Sequence, residues 1–348
     1  MSDTPTPEIL AAWPQFDGAT VRPFGTGLIN HTFLVERGAS RWVLQKLHRV
    51  FGAVVNEDID AVTRHLEQRQ VVTPRVLPAR DGRLWADDGE DGRPWRVLSF
   101  VDGSSVDVVD SAERAREAGR LVGRFHGALA DFSYEYRHVR AGVHDTERHL
   151  AVLHKAVADH RSHRLYERVA PVAEALLRSA KALPDFSKHP KRHAHGDLKI
   201  SNLLFDAKGR GLCLVDLDTV ARMPWPHEMG DALRSWCNPA GEDGGDRIGI
   251  DLSIFTAAVE GYAASAKALT PAEDHERLVQ GVATICLELS ARFLADALNE
   301  SYFGWDRNRF PARGEHNLHR GLGQWALAQS VEKNREALES AVRRAWRA

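Results

Sequence analysis

Carboxylate, amide and ammonium side chains are concentrated in two short segments of this sequence. The first reads H-G-D-L-K-I-S-N at residues 195–202, and the second reads L-V-D-L-D-T at residues 214–219. Transfer of a phosphoryl group requires an aligned hydroxyl, a base and cations that offset the phosphate charge. Asp197 is suited to accept the hydroxyl proton, and the side-chain oxygens of Asn202 and Asp216 are ligands that suit Mg²⁺. The two segments together therefore predict phosphoryl transfer to a hydroxyl.

The neighbours of these residues leave other roles open. Lys199 follows Asp197 closely, so its ammonium is expected to reach the transferred phosphoryl group. Asp218 either contacts a second metal ion or caps the loop. A lone His-Gly-Asp triplet is usually a capped loop, so the prediction depends on both segments occurring in this order. His193 and His195 could instead bind zinc, although no further cluster of ligands accompanies them in the sequence.

The elements that must position these residues change character along the chain. Strand patterns predominate in the first hundred residues, whereas most of the later sequence has helical periodicity, beginning with Ser111 as an N-cap. The predicted strands are 32–36, 41–47 and 95–101, a helix covers 56–67, and a β-hairpin joins 202–205 to 212–215. These patterns predict an α+β fold with a small β-rich N-lobe, residues 1–102, and a large helical C-lobe, residues 103–348. A nucleotide cleft is expected between the lobes, with a hinge near 100–104.

Bulk composition excludes several classes of protein. The chain has 348 residues and a formal net charge of -2, which gives no reason to expect nucleic acid or an anionic membrane as a partner. Its 3 cysteines lie far apart and form no C-x-x-C pair, which favours a reducing compartment. The N-terminal residues show no signal-peptide pattern, and no apolar run is long enough to span a bilayer. We therefore expect a cytoplasmic protein, either a monomer or a homodimer.

The nucleotide-binding side is less distinct in the sequence. Gly25 and Gly27 could let backbone N–H groups approach phosphates, although a plain hairpin turn explains them equally well. No P-loop motif occurs. Strand alternation places Lys46 on one face of its strand and Gln45 on the other, and an ammonium is the better partner for a phosphate. Glu57, in the helix that follows, is the predicted partner of that lysine.

The spacing of the two polar segments resembles the catalytic loop of the protein-kinase-like fold. Gly196 stands where protein kinases carry arginine, and Asp216-Leu217-Asp218 replaces their Asp-Phe-Gly. Both departures are typical of the aminoglycoside phosphotransferase and choline kinase branch, which phosphorylates small molecules. Within that branch the chain most resembles the bacterial N-acetylhexosamine 1-kinases. The supporting segments are I-N-H-T-F at 29–33, V-L-Q-K-L-H-R-V-F at 43–51, V-T-R-H-L at 62–66, G-D-A-L-R at 230–234 and L-E-L-S-A-R-F-L-A-D at 287–296.

This resemblance implies ATP- and Mg²⁺-dependent phosphorylation of a hexosamine at its anomeric hydroxyl. Its register places Gln45, rather than Lys46, at the position of the kinase lysine, so the choice between them stays open. The predicted nucleotide contacts also include Phe100, at the hinge. By position, Arg292 and Tyr302 are the implied sugar contacts, although the interval between them is one residue shorter here.

Other acceptor contacts and other functions remain possible on the sequence alone. His31 could reach the cleft from the N-lobe, and Arg234 could either contact the acceptor or pair with a nearby acid. Asp231 is expected to hold the loop to the helix. An aminoglycoside, homoserine, choline or methylthioribose is an alternative acceptor, and the acidic stretch 242–246 keeps a cationic one open. A nucleotide-binding module without catalysis is the alternative from another class.

Overall fold

An antiparallel sheet in the first third of the chain precedes a larger helical part. The computed structural model describes residues 4–25, 30–89, 92–138, 142–244 and 248–347. The N-terminal elements are α1 (Pro7–Ala11), β1 (Thr20–Pro23), β2 (His31–Arg37), β3 (Ser40–Lys46), α2 (Val55–Gln68), β4 (Val76–Leu77), β5 (Ala86–Asp87) and β6 (Pro94–Ser99). The strands are arranged in the order β1-β2-β3-β6-β4, with β5 also paired to β6. The predicted strands and helix of this region are therefore confirmed, with bounds shifted by one or two residues.

The two faces of this sheet have different surroundings, because successive side chains of a strand point to opposite sides. Leu44 on β3 and Trp95 on β6 belong to a small core that also contains Trp13 and Phe33. Gln45 lies on the other face, where it is directly opposite Arg96 of β6 in the strand register. That second face carries polar side chains toward the helical part of the chain.

Helices make up most of the chain after residue 110. The elements are α3 (Ala112–Ala128), α4 (Thr146–Asp159), α5 (Tyr166–Ala180), β7 (Lys191–Ala194), β8 (Leu203–Phe205), β9 (Gly211–Leu214), β10 (Ala221–Pro224), α6 (Trp225–Trp236), α7 (Leu252–Ala266), α8 (Ala272–His275), α9 (Leu278–Asn299), α10 (Arg313–Lys333) and α11 (Arg335–Arg347). The predicted N-cap is confirmed, since the Ser111 hydroxyl accepts a hydrogen bond from the Arg114 backbone N–H. The hairpin is confirmed as β8 paired with β9.

Glycines allow two of the longest helices to touch through their backbones. A Cβ atom added to Gly119 of α3 would lie 2.1 Å from the Ala258 carbonyl oxygen of α7, and one added to Gly261 of α7 would lie 2.0 Å from the Arg116 carbonyl oxygen of α3. Neither backbone can retreat without breaking its own helix, so both positions require glycine. Helix α3 also packs against strand β9 of the hairpin.

Helix α9 forms the centre of the helical part. It is long and apolar enough to cross a membrane by composition, yet 89% of its most apolar window is buried within the fold. Its neighbours are α10, α6 and α4, and its side chains belong to the main hydrophobic core. These contacts are those of a core helix that packs against other helices on several sides.

Candidate active site

The first polar segment leaves β7 through a glycine that no other residue could replace. Gly196 has φ +82°, and a Cβ atom there would lie 2.4 Å from the Thr219 carbonyl oxygen. Both the left-handed backbone and this close approach require glycine. The two polar segments therefore touch directly at Gly196, which accounts for the glycine between His195 and Asp197.

The backbone of this loop is held by three side chains on one face of α6. Glu228 accepts hydrogen bonds from the N–H groups of His195 at 2.7 Å and Gly196 at 3.0 Å. Asp231 accepts from the Leu198 N–H at 3.0 Å, and Ser235 accepts from the Ile200 N–H at 3.2 Å.

This arrangement agrees with the expected structural role of Asp231. The contribution of Glu228 was not predicted from the sequence. Its position one helical turn before Asp231, on the same face of a helix, is the signal that could have revealed it.

Four side chains of the two segments converge at the end of this loop. The Lys199 ammonium lies 2.9 Å from Asp197 Oδ2 and 3.9 Å from Asp216 Oδ2. The side-chain nitrogen of Asn202 donates to the Asp197 carbonyl oxygen at 2.9 Å and to Asp197 Oδ2 at 3.1 Å. The predicted convergence of Asp197, Asn202 and Asp216 is therefore present in the folded chain.

Asn202 does not begin strand β8, as the hairpin prediction had it, but ends a 3₁₀ turn that spans Ile200–Asn202. The turn forms because the Asn202 N–H bonds to the Lys199 carbonyl oxygen at 2.9 Å. Its side-chain nitrogen is committed to Asp197, so its Oδ1 atom is the one left for a cation.

The donor atoms of this cluster fit a hard divalent cation. Asp216 has a left-handed backbone with φ +64° and lies between the end of strand β9 and the turn Leu217–Thr219. Burial and the nearby Asp218 carboxylate raise the pKa of Asp216 to about 7, and a bound cation would offset that cost. A carboxylate and an amide oxygen, without thiolate or imidazole, are donors that Mg²⁺ accepts.

The two histidines considered as zinc ligands have structural contacts with other parts of the fold. His195 Nε2 lies 2.9 Å from the Val215 carbonyl oxygen. His193 contacts the Phe132 carbonyl oxygen through Nε2 and the Tyr136 hydroxyl through Nδ1. Within the described parts of the chain, no group of three or more His, Cys, Asp or Glu side chains could hold a metal ion. The zinc alternative is therefore unsupported.

Asp218 is enclosed rather than open to a metal ion. Its side chain is only 1% exposed, and one of its oxygens accepts from Asn30 Nδ2 at 2.7 Å. The guanidinium of Arg96 bonds to both of its oxygens. These contacts oppose the predicted role of Asp218 as a metal ligand and agree with the alternative, in which it fixes the turn.

Neither candidate for the kinase lysine position is free to contact a phosphate. Lys46 lies on the core side of the sheet, 2% exposed, with its ammonium 2.8 Å from Asp88 Oδ2. The Gln45 side chain accepts from Arg96 and donates to the Thr32 hydroxyl at 3.1 Å. These contacts oppose Lys46 as the phosphate-binding cation, because strand alternation turns its side chain away from the catalytic loop.

The predicted partner of that lysine also bonds elsewhere. Glu57 of α2 pairs with Arg137, a residue that precedes α4. This corrects the expected Glu57–Lys46 pair, because Lys46 is paired with Asp88 instead. Lys199 is a cation that faces the carboxylates of the site. Burial lowers its pKa, but Asp197 and Asp216 raise it, and the net pKa is above the ordinary value.

The remaining predicted nucleotide contacts lie near the hinge or outside the described residues. Phe100 has the Arg41 guanidinium 4.2 Å from its ring centroid and the Phe24 ring 6.0 Å away. Gly25 is exposed and has φ +77°, which suits a tight turn. Gly27 lies outside the described residues.

The predicted acceptor contacts are brought together only in part, since Arg292 and Tyr302 both neighbour the Phe303 ring. His31 pairs with Lys46 across β2 and β3, so its side chain leaves the sheet on the side away from Gln45 and the prediction is not supported. The Arg292 guanidinium lies 5.5 Å from the Phe303 ring. Tyr302 is 60% exposed, and its backbone N–H donates to Asp296 at 2.8 Å.

Of the two roles expected for Arg234, the structure shows the pairing with nearby acids. It donates to Asp231 Oδ1 at 2.8 Å and lies 3.4 Å from Glu242. Asp243 pairs with Arg309 at 2.8 Å and with His316 at 3.1 Å. The described acids of the stretch 242–246 are thus already neutralised by cations of the same chain.

A cavity of about 780 Å³ adjoins the catalytic loop at Gly196 and the metal turn at Asp218. His144 and His227 line it, their ring centroids are 5.8 Å apart, and their Nε2 atoms are buried without a hydrogen-bond partner. Among the described residues of its wall, none is a predicted acceptor contact. The volume is sufficient for a small molecule.

Comparison with known proteins agrees with this geometry. A family model described as "Phosphotransferase enzyme family" matches residues 20–266. A microcompartment-associated aminopropanol kinase is 18% identical, with 95% of this chain and 97% of that chain covered at a TM-score of 0.63. An aminoglycoside phosphotransferase from Alicyclobacillus acidocaldarius is 13% identical, with coverage of 100% and 98% and a TM-score of 0.63. An amicoumacin kinase, solved with AMP-PNP, Ca²⁺ and its ligand, is 13% identical, with coverage of 94% and 91% and a TM-score of 0.57.

The family match covers more than half of the chain, and the structural matches extend over nearly all of it. At these low identities the solved structures establish the shared fold, an N-terminal sheet followed by a large helical part. With the converging side chains of the two polar segments, they lead to one conclusion. The chain belongs to the phosphotransferase enzyme family.

Proposed function

We propose that this protein transfers the γ-phosphoryl group of ATP to a hydroxyl of a small sugar, an N-acetylhexosamine at its anomeric position. The convergence of Asp197, Lys199, Asn202 and Asp216 carries the proposal, because these are the groups that such a transfer needs. The amicoumacin kinase was solved with an ATP analogue and a divalent cation, which supports the choice of nucleotide. The sugar is inferred from the sequence motifs shared with the N-acetylhexosamine 1-kinases.

Each residue has a defined part in the proposed transfer. Asp197 orients the acceptor hydroxyl and takes its proton as the hydroxyl oxygen bonds to the γ-phosphorus. The bond from that phosphorus to the bridging oxygen breaks, and ADP leaves with the electron pair. Lys199 offsets the charge on the transferred group. Asn202 Oδ1 and the Asp216 carboxylate would hold Mg²⁺, which neutralises phosphate charge when bound.

The two described acids of the stretch 242–246 give no support for a cationic acceptor, whereas Asp145, Glu147 and Asp185 line the cavity beside the catalytic loop. An aminoglycoside needs several unpaired acids to meet its ammonium groups. Glu242 and Asp243 are instead paired with Arg234 and Arg309. A cationic acceptor would have to break these two pairs before it could bind to Glu242 or Asp243.

An acceptor panel tests the proposal directly. ADP release is measured with ATP and Mg²⁺ against N-acetylhexosamines, neutral hexoses, aminoglycosides, choline, homoserine and methylthioribose. Phosphorus NMR of the product then identifies the modified hydroxyl. We expect the N-acetylhexosamines to react and to give the 1-phosphate. Turnover of cationic acceptors alone would exclude the sugar proposal, and Mg²⁺-dependent ATP binding without ADP release from any acceptor would favour the module without catalysis.

A further inference from the structure

Every N–H group of the Arg96 guanidinium is used inside one buried network. Arg96 is 1% exposed. Its Nε and Nη2 atoms donate to Gln45 Oε1 at 2.9 and 2.7 Å. Nη2 also donates to Asp218 Oδ2 at 2.9 Å, while Nη1 donates to Asp218 Oδ1 and lies 3.5 Å from Asn56 Oδ1. No donor is left over for a phosphate, so Arg96 acts on the site through Asp218.

Asp218 is also held by a residue that immediately precedes strand β2. Asn30, just before β2, donates from Nδ2 to Asp218 Oδ2 at 2.7 Å. The Oδ1 atom of Asn30 accepts from the His48 backbone N–H at 2.9 Å, so Asn30 is itself fixed on both sides. The N-terminal part therefore holds the Asp218 carboxylate through hydrogen bonds from Arg96 and Asn30.

The Asp218 carboxylate belongs to the turn that directly follows the proposed metal ligand, Asp216. Asp216 immediately precedes the 3₁₀ turn Leu217–Thr219, which contains Asp218. At the end of the same turn, the Thr219 hydroxyl donates to the His195 carbonyl oxygen at 2.8 Å. A shift of Asp218 would thus move Asp216 and disturb the contact with the catalytic loop.

We propose that Arg96 and Asp218 are a positioning pair that holds Asp216 in the geometry that binds the nucleotide-associated cation. The proposal rests on the proposed function. It also explains the glutamine of β3. The Gln45 oxygen accepts both N–H groups on one edge of the guanidinium, whereas a lysine at residue 45 would place a second cation against Arg96. The positive charge of this network therefore comes from Arg96 on β6, and Gln45 on β3 orients the guanidinium.

An arginine is the residue that this geometry demands. Its planar fork matches both carboxylate oxygens of Asp218 while its other edge faces Gln45. A lysine would supply one point charge and leave several acceptors of this buried network without donors. Arg96→Lys is therefore not conservative here, although it keeps the charge.

The test measures metal binding without turnover. Mn²⁺ is titrated into the full-length protein saturated with AMP-PNP, and free Mn²⁺ is followed by electron paramagnetic resonance. The main variant is Arg96→Gln with Asp218→Asn, which removes both charges and keeps hydrogen-bonding groups at both positions. We expect its Mn²⁺ dissociation constant to rise by about tenfold or more, the usual effect of losing a residue that orients a metal ligand. A folded double variant that binds Mn²⁺ within twofold of the wild type, about the precision of such titrations, would overturn the proposal.

A matched pair separates positioning from general stability. Arg192 and Asp274 are an ion pair of the helical part, and the Asp274 side chain is fully buried. Arg192→Gln with Asp274→Asn should lower the melting temperature and leave Mn²⁺ binding within about twofold of the wild type. Equal weakening of Mn²⁺ binding in both double variants would show a loss of stability only, and would count against the proposal.

Two further measurements keep the outcome decisive. If the main variant does not fold, the decision passes to Arg96→Lys, which keeps the charge of residue 96 but cannot bond to both Asp218 oxygens and to Gln45. Its Mn²⁺ dissociation constant should rise at least about threefold, and an unchanged constant overturns the proposal. No acceptor is needed in these titrations. If the wild type binds Mn²⁺ with AMP-PNP but phosphorylates nothing, the proposed function fails while this inference stands.

Discussion

The side-chain nitrogen of Asn202 donates to Asp197 Oδ2 at 3.1 Å and to the Asp197 carbonyl oxygen at 2.9 Å. The Asn202 nitrogen therefore holds the carboxylate of the proposed base, which leaves the Asn202 oxygen to face away from that carboxylate. A single side chain can thus orient the base and offer a cation ligand. The base and the metal position are linked before any ligand binds.

Asp197→Asn should lower kcat by about 100-fold or more, because the variant cannot accept the hydroxyl proton. Although burial raises the pKa of Asp197, the Lys199 ammonium lowers it further, and the net pKa is below the ordinary value. Asp197 is therefore ionised and ready to act as a base at neutral pH. Steady-state ADP release with the best acceptor from the panel measures the effect.

The asparagine keeps the size of the side chain, so the melting temperature should change little. This makes a folding defect easy to recognise. A folded Asp197→Asn protein that retains a near-normal kcat would contradict the assignment of the base.

Glu228→Gln should weaken both stability and turnover. The carboxylate accepts from the His195 and Gly196 N–H groups, whereas the glutamine would turn an NH₂ group against one of them. An unsatisfied buried donor costs about 1–3 kcal/mol of unfolding free energy. We also expect kcat to fall by about tenfold, because these N–H groups set the position of Asp197. Chemical denaturation and steady-state kinetics measure the two effects.

Ser235→Ala is the milder control for Glu228→Gln, because Ser235 also holds the backbone of the catalytic loop. Its hydroxyl accepts a single hydrogen bond from the Ile200 N–H at 3.2 Å, in a partly buried position. The expected loss is about 1 kcal/mol or less. If Ser235→Ala were as damaging as Glu228→Gln, the Glu228 carboxylate would have no special role in holding the loop.

Glu300→Gln should lower stability at neutral pH but not in acid. Hydrogen bonds from Arg164 are the largest cause that lowers the pKa of Glu300 to about 2, with His163 and the Gly314 N–H also contributing. A depressed pKa stabilises the fold above the ordinary value of 4.5. That stability is lost as the pH falls from about 4.5 toward 2. We expect a difference of about 2 kcal/mol at pH 7, allowing for partial exposure.

Denaturation curves of the wild type and Glu300→Gln at several pH values test this. Glu273→Gln, at an exposed position of α8, controls for the loss of one charge. A Glu300→Gln difference that stays constant down to pH 2 would show that the effect does not arise from ionisation of Glu300.

Gly119→Ala should destabilise the helical part severely. The new methyl group would lie 2.1 Å from the Ala258 carbonyl oxygen and 2.8 Å from the Tyr262 backbone nitrogen. Because backbone cannot rotate away as a side chain does, α3 and α7 would have to separate. We expect a loss of about 3 kcal/mol or more, or no soluble protein. Thermal denaturation and soluble yield measure this.

Gly127→Ala is the matched control in the same helix. Its nearest neighbour would be a Leu269 side-chain carbon at 3.6 Å, an ordinary contact. The variant should be neutral or more stable by up to about 1 kcal/mol, because alanine favours a helix. Similar losses at Gly119 and Gly127 would indicate that helix packing does not explain either result.

Much of the catalytic segment could be predicted because its chemistry is local in sequence. Asp197, Lys199 and Asn202 lie within six residues, and the turn that joins them requires glycine at Gly196. The hairpin that brings Asp216 to them is also short. Such short-range geometry depends on spacing and turn residues, which a sequence displays directly. The family resemblance rests on the same segments, and the family match agrees with it.

The pairing of the N-terminal sheet with this segment was decided by the tertiary structure alone. The alternation of side chains along β3 predicted that Gln45 and Lys46 lie on opposite faces. It could not show which of these faces packs toward the catalytic loop. Arg96 bonds to Asp218 across 122 positions, and Arg137 rather than Lys46 bonds to Glu57 across 80. Partners so distant are chosen by how the sheet packs on the helices, since a buried charge takes whichever opposite charge that packing brings within reach. The sequence specified which groups could react, and the packing decided which of them meet.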